Sequence, residues 1–570
     1  MNQIRHIFSL ITPKNKHGII SYLQSSLRPD IIAGLTVAMV VIPQSMAYAQ
    51  IANLHPIYGI FTAILPAIVG SLFGSSSHLH TGPTNATAMV VFSVLIIYAD
   101  SPSYPDLVFT LAILSGILLI ILGLLRLGNI VRFMSNSVLT GFLAGATLLI
   151  IAGQLNSLLG LKIPRTSGII DTLITAISNL PSINVYVAIT AGFSILLMIL
   201  IQKLMPQLPA ALITIIILSS LLQITGWQNN GVILISDLGL PKNPHLEFYI
   251  PQVDLRQIPD LMYGVLAVTI IKLVESISIS KSIAYKSGQK LNPSKEFFGQ
   301  GMASLIGGLF HCYPPSGSLS RSAILYRVGG QTRLAGVFSG IFVWIVLSIA
   351  SGLLGFIPTP SLAAIVVVSA IGLINTRQIA LTWKSRTVSR IVMIVTFLAT
   401  IFSSPENAIF LGAVLSIVIY LVESRHLEVK FINVSPEGQF VEKSYDQIVK
   451  DKPPIILVDV EGDFFFGAAD ELEEKITPVL QSGVRVLIIR VRHLRLMSST
   501  GINAINGIIH TAQRQQVKII ICGVKESISK LLDNSGVSLS LGSGNIFYAS
   551  EILHDSTQKA LIRAKELIKQ

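Results

Sequence analysis

His80-Thr81-Gly82-Pro83-Thr84-Asn85-Ala86 and Pro314-Pro315-Ser316-Gly317-Ser318-Leu319-Ser320-Arg321-Ser322 are the two stretches that decide the fold of this chain. Each is rich in Gly, Pro and hydroxyl residues, and each opens an apolar segment too short to cross a bilayer as a complete helix. Either stretch alone is better explained as a loop between two spans. The two fall at matching places in two halves of a very apolar region, and this pairing indicates a carrier with a binding site near the membrane midplane.

The chemistry of two interrupted segments favours an anion as the ligand. The N-terminus of a helix has backbone N–H groups without partners and carries the positive end of the helix dipole. Two such ends near one another form a site suited to a negative group. Thr84, Asn85, Ser318 and Ser320 add polar side chains at the two ends. Gln44, beside Pro43 in the middle of the first span, is a further candidate.

Charge divides the 570 residues into two regions. Residues 1–426 contain 24 Lys or Arg and 12 Asp or Glu, about 8% charged, whereas residues 427–570 contain 17 of each, about 24%. Soluble domains average about 25% charged residues. We therefore predict a cytoplasmic lead over 1–29, a transport domain over 30–425 and a soluble domain over 426–570. Because the net charge of +12 belongs entirely to the apolar region, it indicates membrane topology rather than nucleic-acid binding.

Fourteen apolar segments are predicted, seven in each half, with both termini in the cytoplasm. This arrangement places 18 of the 24 basic residues on the inner side. The inner residues are Arg5, Lys14, Lys16, Arg28, Arg126, Arg132, Lys203, Lys281, Lys286, Lys290, Lys295, Arg327, Arg333, Arg377, Lys384, Arg386, Arg390 and Arg425. The outer loops contain Lys162, Arg165, Lys242 and Arg256. Because seven is odd, the second half enters from the opposite side, which makes an inverted repeat.

Glu275 is the one carboxylate of this region that sits well inside an apolar span. An ionisable group there is costly and indicates a function. Glu275 can bind H⁺, or it can bind Na⁺ together with the hydroxyls of Ser276 and Ser278. An ion pair with Lys272, three residues earlier, is the structural alternative. No other metal site and no cofactor is predicted.

Arg321 begins the second interrupted segment, and its guanidinium is a ready partner for an oxyanion. The alternatives are an ion pair with Glu275 and a capping role at a neighbouring helix. Cys312 and Cys522 lie in different predicted domains, so no disulfide framework is implied. The N-terminus shows no signal-peptide pattern.

These motifs together resemble those of the SulP anion permeases, the family of sulfate permeases and prestin (solute carrier family 26). The resemblance covers nearly the whole chain and rests on four stretches of the apolar region and one of the tail. They are Asp30–Thr36 with Pro43–Ala49 and Pro56-x-Tyr58-Gly59; Leu79–Pro83; Ser318–Ser322; Gly329–Gly336; and, in the tail, Gly462–Ala469, which is similar to the family's STAS domain. The tail also reads as alternating short strands and helices, which predicts a small α/β domain.

The resemblance implies an all-α membrane domain with core and gate parts, followed by a cytoplasmic STAS domain. It implies an anion held by Gln44, Ser318, Ser320 and Arg321 between the two interrupted segments, which are the third and tenth of the fourteen, and carried by an elevator-like movement of the core. It also implies a homodimer in the cell (inner) membrane, with a cytoplasmic partner of the STAS domain that the sequence does not identify. A Glu at the position of Glu275 resembles proton-coupled sulfate carriers, whereas sodium–bicarbonate members have Asp there.

STAS domains related to anti-sigma-factor antagonists often have the pattern Asp-Ser-(Ser/Thr)-Gly at this turn. The turn Met497-Ser498-Ser499-Thr500-Gly501 departs from that pattern, because Ser498 replaces the Asp. Ser499 occupies the phosphoacceptor position, which keeps the hydroxyl, but the neighbouring carboxylate is lost. This favours a helix-capping turn, and the alternative is that Ser499 is a regulatory phosphorylation site.

The leading hypothesis is a symporter that imports a small inorganic oxyanion, sulfate first, with H⁺ or Na⁺. Na⁺-coupled bicarbonate transport is the nearest alternative, followed by an uncoupled exchanger or channel in which Glu275 is structural. A nucleobase carrier of the same fold is expected to lack the STAS tail. An enzyme is not expected, since no catalytic constellation is visible.

Overall fold

The computed structural model describes residues 19–128, 135–161, 169–206, 208–239, 245–424, 428–434, 440–464, 466–552 and 554–569. The chain forms two compact units, Met1–Ser416 and Ile417–Gln570. The predicted boundary at residue 425, most of the basic lead, and the loop residues Arg132, Lys162, Arg165 and Lys242 lie outside the described residues.

The first half of the membrane unit contains ten helices and one short strand among its described residues. They are α1 (Ile19–Ser25), α2 (Leu27–Ile51), α3 (Pro56–Phe73), β1 (Thr81–Gly82), α4 (Asn85–Leu95), α5 (Tyr104–Leu124), α6 (Asn136–Gly153), α7 (Leu155–Leu159), α8 (Ile169–Ser178), α9 (Val185–Leu204) and α10 (Ala210–Thr225).

The second half contains eight helices and one strand among its described residues. They are α11 (Ile258–Ser287), α12 (Pro293–Gly308), β2 (Ser316–Gly317), α13 (Leu319–Arg327), α14 (Leu334–Leu354), α15 (Thr359–Ile371), α16 (Thr376–Lys384), α17 (Thr387–Phe402) and α18 (Pro405–Ser424).

Each of the fourteen predicted segments coincides with one of these helices. Within the described residues, eight helical stretches are long and apolar enough to cross a membrane. Large apolar side chains such as Leu196 and Ile349 are exposed on them, as expected of helices whose solvent is lipid. The number of complete crossings remains a prediction. Helices α1, α7, α8 and α16 were not predicted.

The membrane helices pack in two groups. Helices α2, α3, α5, α11, α12 and α14 pack on one another and surround the short helices α4 and α13, while α6 packs on α17 and α9 on α10 and α15. Close approach between α5 and α12 depends on Gly116 and Gly301: a Cβ on Gly116 would lie 2.8 Å from Gly301 O. Such small residues let membrane helices approach closely.

Asp30 ties the start of α2 to the turn before α14, 301 residues later in the chain. Its Oδ1 accepts from Gln331 N at 2.7 Å and Thr332 N at 3.1 Å, and its Oδ2 accepts from Tyr22 OH at 3.2 Å. The carboxylate is fully buried. It therefore satisfies backbone donors at the beginning of a helix and joins the two halves of the sequence.

The second unit is an α/β domain around a mixed sheet. Its strands are β3 (Glu428–Val434), β4 (Phe440–Lys443), β5 (Ile455–Phe464), β6 (Val486–Arg490), β7 (Leu494–Met497), β8 (Lys518–Val524) and β9 (Ile546–Tyr548). Its helices are α19 (Tyr445–Asp451), α20 (Phe466–Gln481), α21 (Ser499–Arg514), α22 (Glu526–Asn534), α23 (Val537–Leu541) and α24 (Asp555–Lys569).

The sheet runs β4-β3-β5-β6-β8-β9, with β7 paired to β5. Strands β5, β6, β8 and β9 are parallel, and β3 is antiparallel to both neighbours. The core strands read as continuous apolar runs because helices cover both faces. This confirms the predicted small α/β domain.

Candidate anion-binding site

Strands β1 and β2 bring the two interrupted segments together. They pair antiparallel, with Thr81 opposite Gly317 and Gly82 opposite Ser316. Pro83 and Pro315 flank the pair, and proline both lacks an N–H and restricts the preceding residue to extended backbone. Pro83 follows β1, whereas Pro315 precedes β2. A short helix begins soon after each strand, α4 after β1 and α13 after β2. The matched pair predicted from sequence is one contiguous structure.

Each short helix has a hydroxyl residue at its N-cap position, although only Thr84 makes a capping hydrogen bond in the described residues. Thr84 caps α4, and its Oγ1 accepts from Thr87 N at 3.3 Å. Ser318 occupies the same place before α13, and its Oγ lies 3.3 Å from Ser320 Oγ. The first backbone N–H groups of α13 have no acceptor within the helix, so this end can donate to a bound anion.

Arg321 is fully buried and bridges the two segments. Its Nε donates to His80 Nδ1 at 3.1 Å, and Nη2 donates to Pro83 O at 2.7 Å. Nη1 has no hydrogen-bond partner among the described residues. Neither predicted alternative for Arg321 is seen in the described part of the chain: it forms no ion pair with Glu275, and it bonds a loop carbonyl rather than a helix end.

Glu275 lies in the middle of α11 and faces this structure. Thr84 Oγ1 donates to Glu275 Oε2 at 3.4 Å, and Ser316 also faces the carboxylate. The neighbouring Ser276 Oγ accepts from Gly317 N at 3.2 Å. Glu275 thus contacts the first interrupted segment and Ser276 contacts the second, so the carboxylate and the two helix ends form one buried cluster.

Lys272 does not pair with Glu275. Its ammonium is fully buried and donates to Ser304 Oγ of α12, and no ion pair joins it to Glu275 in the described structure. Although Lys272 and Glu275 are three residues apart, their side chains serve different neighbours. The ion-pair alternative drawn from their spacing is therefore wrong.

The remaining predicted residues occupy different surroundings. Gln44 lies on α2, which packs on both α4 and α13, and its buried Oε1 has no hydrogen-bond partner in the described chain. Asn85 Oδ1 accepts from Ala86 N at 3.0 Å, so it serves its own turn. Ser320 is exposed. Ser278 is half-buried, and none of the hydrogen bonds found in the described residues involves its hydroxyl.

His80 and Tyr313 are part of this cluster but were not predicted as site residues. Both are fully buried. Tyr313 OH lacks a hydrogen-bond partner in the described region and lies within electrostatic range of Arg321. A buried unsatisfied hydroxyl is a signal only once the fold is known, so no sequence pattern pointed to it.

The turn at Ser498 is a helix cap. Ser498 Oγ accepts from Gly501 N at 3.3 Å at the start of α21, and Ser499 is exposed beside it. The geometry is that of the helix-capping turn. Ser499 remains a regulatory candidate because its hydroxyl is accessible.

Comparison with known proteins identifies the family. The model of the sulfate permease family matches residues 27–396, and the STAS domain model matches residues 447–551. The chain is 26% identical over 552 residues to high affinity sulfate transporter 2 of Stylosanthes hamata, covering 92% of this chain and 83% of that protein.

Two solved structures share the fold. The murine Solute Carrier 26 family member A9 anion transporter superposes with a TM-score of 0.84 at 18% identity, covering 99% of this chain and 95% of that one. The transmembrane domain of the cyanobacterial bicarbonate transporter BicA superposes with a TM-score of 0.58 at 21% identity, covering 69% and 96%. The chain belongs to the sulfate permease family, a family of integral membrane anion transporters, and has a C-terminal STAS domain.

Proposed function

We propose that this protein imports sulfate together with a cation, H⁺ or Na⁺. The observation that carries the proposal is the single buried cluster in which Glu275 meets two helix starts and Arg321. Sulfate is placed first because the chain belongs to the sulfate permease family and matches a named sulfate transporter over most of its length.

The anion binds the free N–H groups at the start of α13, the Arg321 guanidinium and the hydroxyls of Ser318 and Ser320. Gln44, Thr84 and Asn85 complete its surroundings from α2 and α4. Helix ends and a guanidinium supply directed donors and positive charge without a mobile counter-ion. Arg321 offers one nitrogen without a partner, Nη1, whose two N–H groups can donate to the anion, together with the charge of the guanidinium.

Glu275, with Ser276 and Ser278, takes up the cation. A bare carboxylate and an oxyanion repel one another strongly in a low-dielectric pocket, so the cation makes anion binding favourable. Coupling follows because neither partner occupies the site well alone. The helices around α4 and α13 then carry the loaded site past the second packing group in an elevator-like movement.

The proposal extends to the architecture of the transporter. We propose fourteen membrane segments in a seven-plus-seven inverted repeat, a transport domain over 30–425, a STAS domain over 426–570, and cytoplasmic termini. The protein works as a homodimer in the cell (inner) membrane, and the STAS domain binds a cytoplasmic partner.

The experiment is uptake of labelled sulfate and labelled bicarbonate into proteoliposomes, with an inward H⁺ gradient or an inward Na⁺ gradient. We expect sulfate uptake driven by one cation. Bicarbonate uptake driven by Na⁺ would leave the proposed site unchanged but identify bicarbonate, not sulfate, as the transported anion. Sulfate flux that ignores both gradients would leave an uncoupled exchanger or channel and would refute the coupling.

A further inference from the structure

His80 is the residue through which the two interrupted segments are joined most densely. Its backbone N–H donates to Ser322 Oγ at 2.8 Å, and its carbonyl accepts from Ser318 N at 3.0 Å. The side chain is fully buried. The ring is therefore held at a fixed height against α13, which starts between these two contacts.

The contacts of the ring assign its tautomer. Nδ1 lies 3.1 Å from Arg321 Nε, which is a donor only. Nδ1 must accept and carries no proton, so the proton is on Nε2, 3.1 Å from Ser339 Oγ. A doubly protonated ring would direct an N–H at the Arg321 N–H, so this geometry requires the neutral imidazole.

The consequence falls on the Arg321 guanidinium. Nε donates to His80 and Nη2 donates to Pro83 O, so two hydrogen bonds on one side fix the plane of the guanidinium. Nη1 is the nitrogen left without a partner among the described residues. A free arginine side chain has rotamer entropy to lose on binding. Here that freedom is already removed before any ligand arrives.

We propose that His80 is a positioning residue for anion binding. Through its unprotonated Nδ1 it orients Arg321 so that Nη1 is presented to one oxygen of the transported oxyanion. The inference rests on the proposed function, since it assumes that Arg321 meets the anion. It adds a residue that does not touch the substrate and assigns each guanidinium nitrogen a separate task.

Two amide substitutions separate this role from a structural one. In His80→Asn the amide oxygen can replace the Nδ1 acceptor while the contact with Ser339 is lost. In His80→Gln the amide reaches the Nε2 position and keeps the Ser339 contact, while the acceptor for Arg321 Nε is lost. Ser339→Ala is the matched control, because it removes the same distal contact and leaves Nδ1 intact.

The measurement is the KM and maximal rate of sulfate uptake in proteoliposomes, with thermal unfolding of each purified variant as the folding check. We expect His80→Gln to raise KM about tenfold or more, on the order of one lost charge-assisted hydrogen bond. His80→Asn and Ser339→Ala should stay within about threefold of wild type.

Several outcomes would overturn the inference. They are a normal KM in His80→Gln, the reverse order of the two amides, and equal losses in both with normal unfolding temperatures. If the wild-type chain takes up no sulfate, the proposed function fails instead. The same series run with bicarbonate then tests His80 on its own.

Discussion

Glu275→Gln removes the charge of the candidate coupling site and little else. The two side chains have the same shape, and the amide oxygen can still accept from Thr84, which now donates to Glu275 Oε2 at 3.4 Å. The buried cluster should therefore keep its fold while losing the group that binds the cation. We expect a variant that exchanges anions but does not concentrate them.

The size of the effect follows from the number of carboxylates. Among the described residues, Glu275 is the one carboxylate that contacts the two interrupted segments, so one cation should accompany each anion. A tenfold cation gradient is worth about 1.4 kcal/mol per cation. With the membrane potential held at zero, wild-type protein should accumulate anion up to about tenfold, and the variant to a ratio of about one.

The assay is steady-state accumulation of labelled sulfate in proteoliposomes clamped with potassium and valinomycin, under a tenfold inward gradient of H⁺ or of Na⁺. Glu406→Gln is the matched control, because Glu406 is also a buried carboxylate of the membrane unit and begins α18, outside the cluster. It should accumulate sulfate like wild type.

Full accumulation by Glu275→Gln would refute the coupling mechanism. Loss of both accumulation and exchange, with a normal unfolding temperature, would instead make Glu275 part of anion binding. Loss of accumulation in both Glu275→Gln and Glu406→Gln would show that the effect is not specific to the Glu275 site.

The α/β domain of the second unit allows three further predictions. Asp459→Ala leaves Arg490 buried without its 2.9 Å ion pair and should lower the opening free energy of β5 and β6 by about 3–5 kcal/mol, measured by hydrogen exchange on the full-length protein. Burial raises the pKa of Cys522 to about 12, so maleimide at neutral pH should label it only after denaturation. The hydrogen bond from Lys559 lowers the pKa of Asp555, so this contribution to stability is complete above the unfolded-state pKa and is lost as pH falls through the folded-state pKa.

Each of these has a control. Lys530→Ala removes the exposed pair with Glu526, whose side chains are 73% and 85% accessible, and should change hydrogen exchange little. Native labelling of Cys522 at the rate of a free thiol would contradict its burial. For Asp555, the Lys559→Ala substitution should raise the carboxyl pKa toward that of an ordinary aspartate, as measured by NMR titration. An unchanged pKa would exclude Lys559 as the cause of the shift.

Residue type and spacing were enough to locate the candidate site. The two Gly/Pro breaks, Glu275 and Arg321 are each unusual inside apolar sequence, because lipid penalises charge and broken helices. These residues meet in the structure as one cluster. Helices α1, α7, α8 and α16 escaped prediction because they are short, with 7, 5, 10 and 9 residues. Strands β3 and β4 escaped prediction because part of this edge pair is exposed.

The partners of the buried polar groups could not be predicted. The spacing of Lys272 and Glu275 suggested an ion pair, but Lys272 bonds Ser304 on a different helix. His80 contacts Arg321 and Ser339, which are 241 and 259 residues away in the chain. Such contacts depend on how the two halves of the chain pack, so the residues around His80 in the sequence do not indicate them.

The central claim is that the starts of α4 and α13 form one anion site with Arg321. Selenate replaces sulfate with a heavier atom of the same charge and shape, so anomalous diffraction from crystals grown with it locates the bound anion directly. We expect a selenium peak beside the starts of both helices, with oxygens in hydrogen-bonding reach of Arg321 and the first N–H groups of α13. A transport-competent protein whose selenate peak lies elsewhere, with none at this cluster, would show that the anion binds at another site.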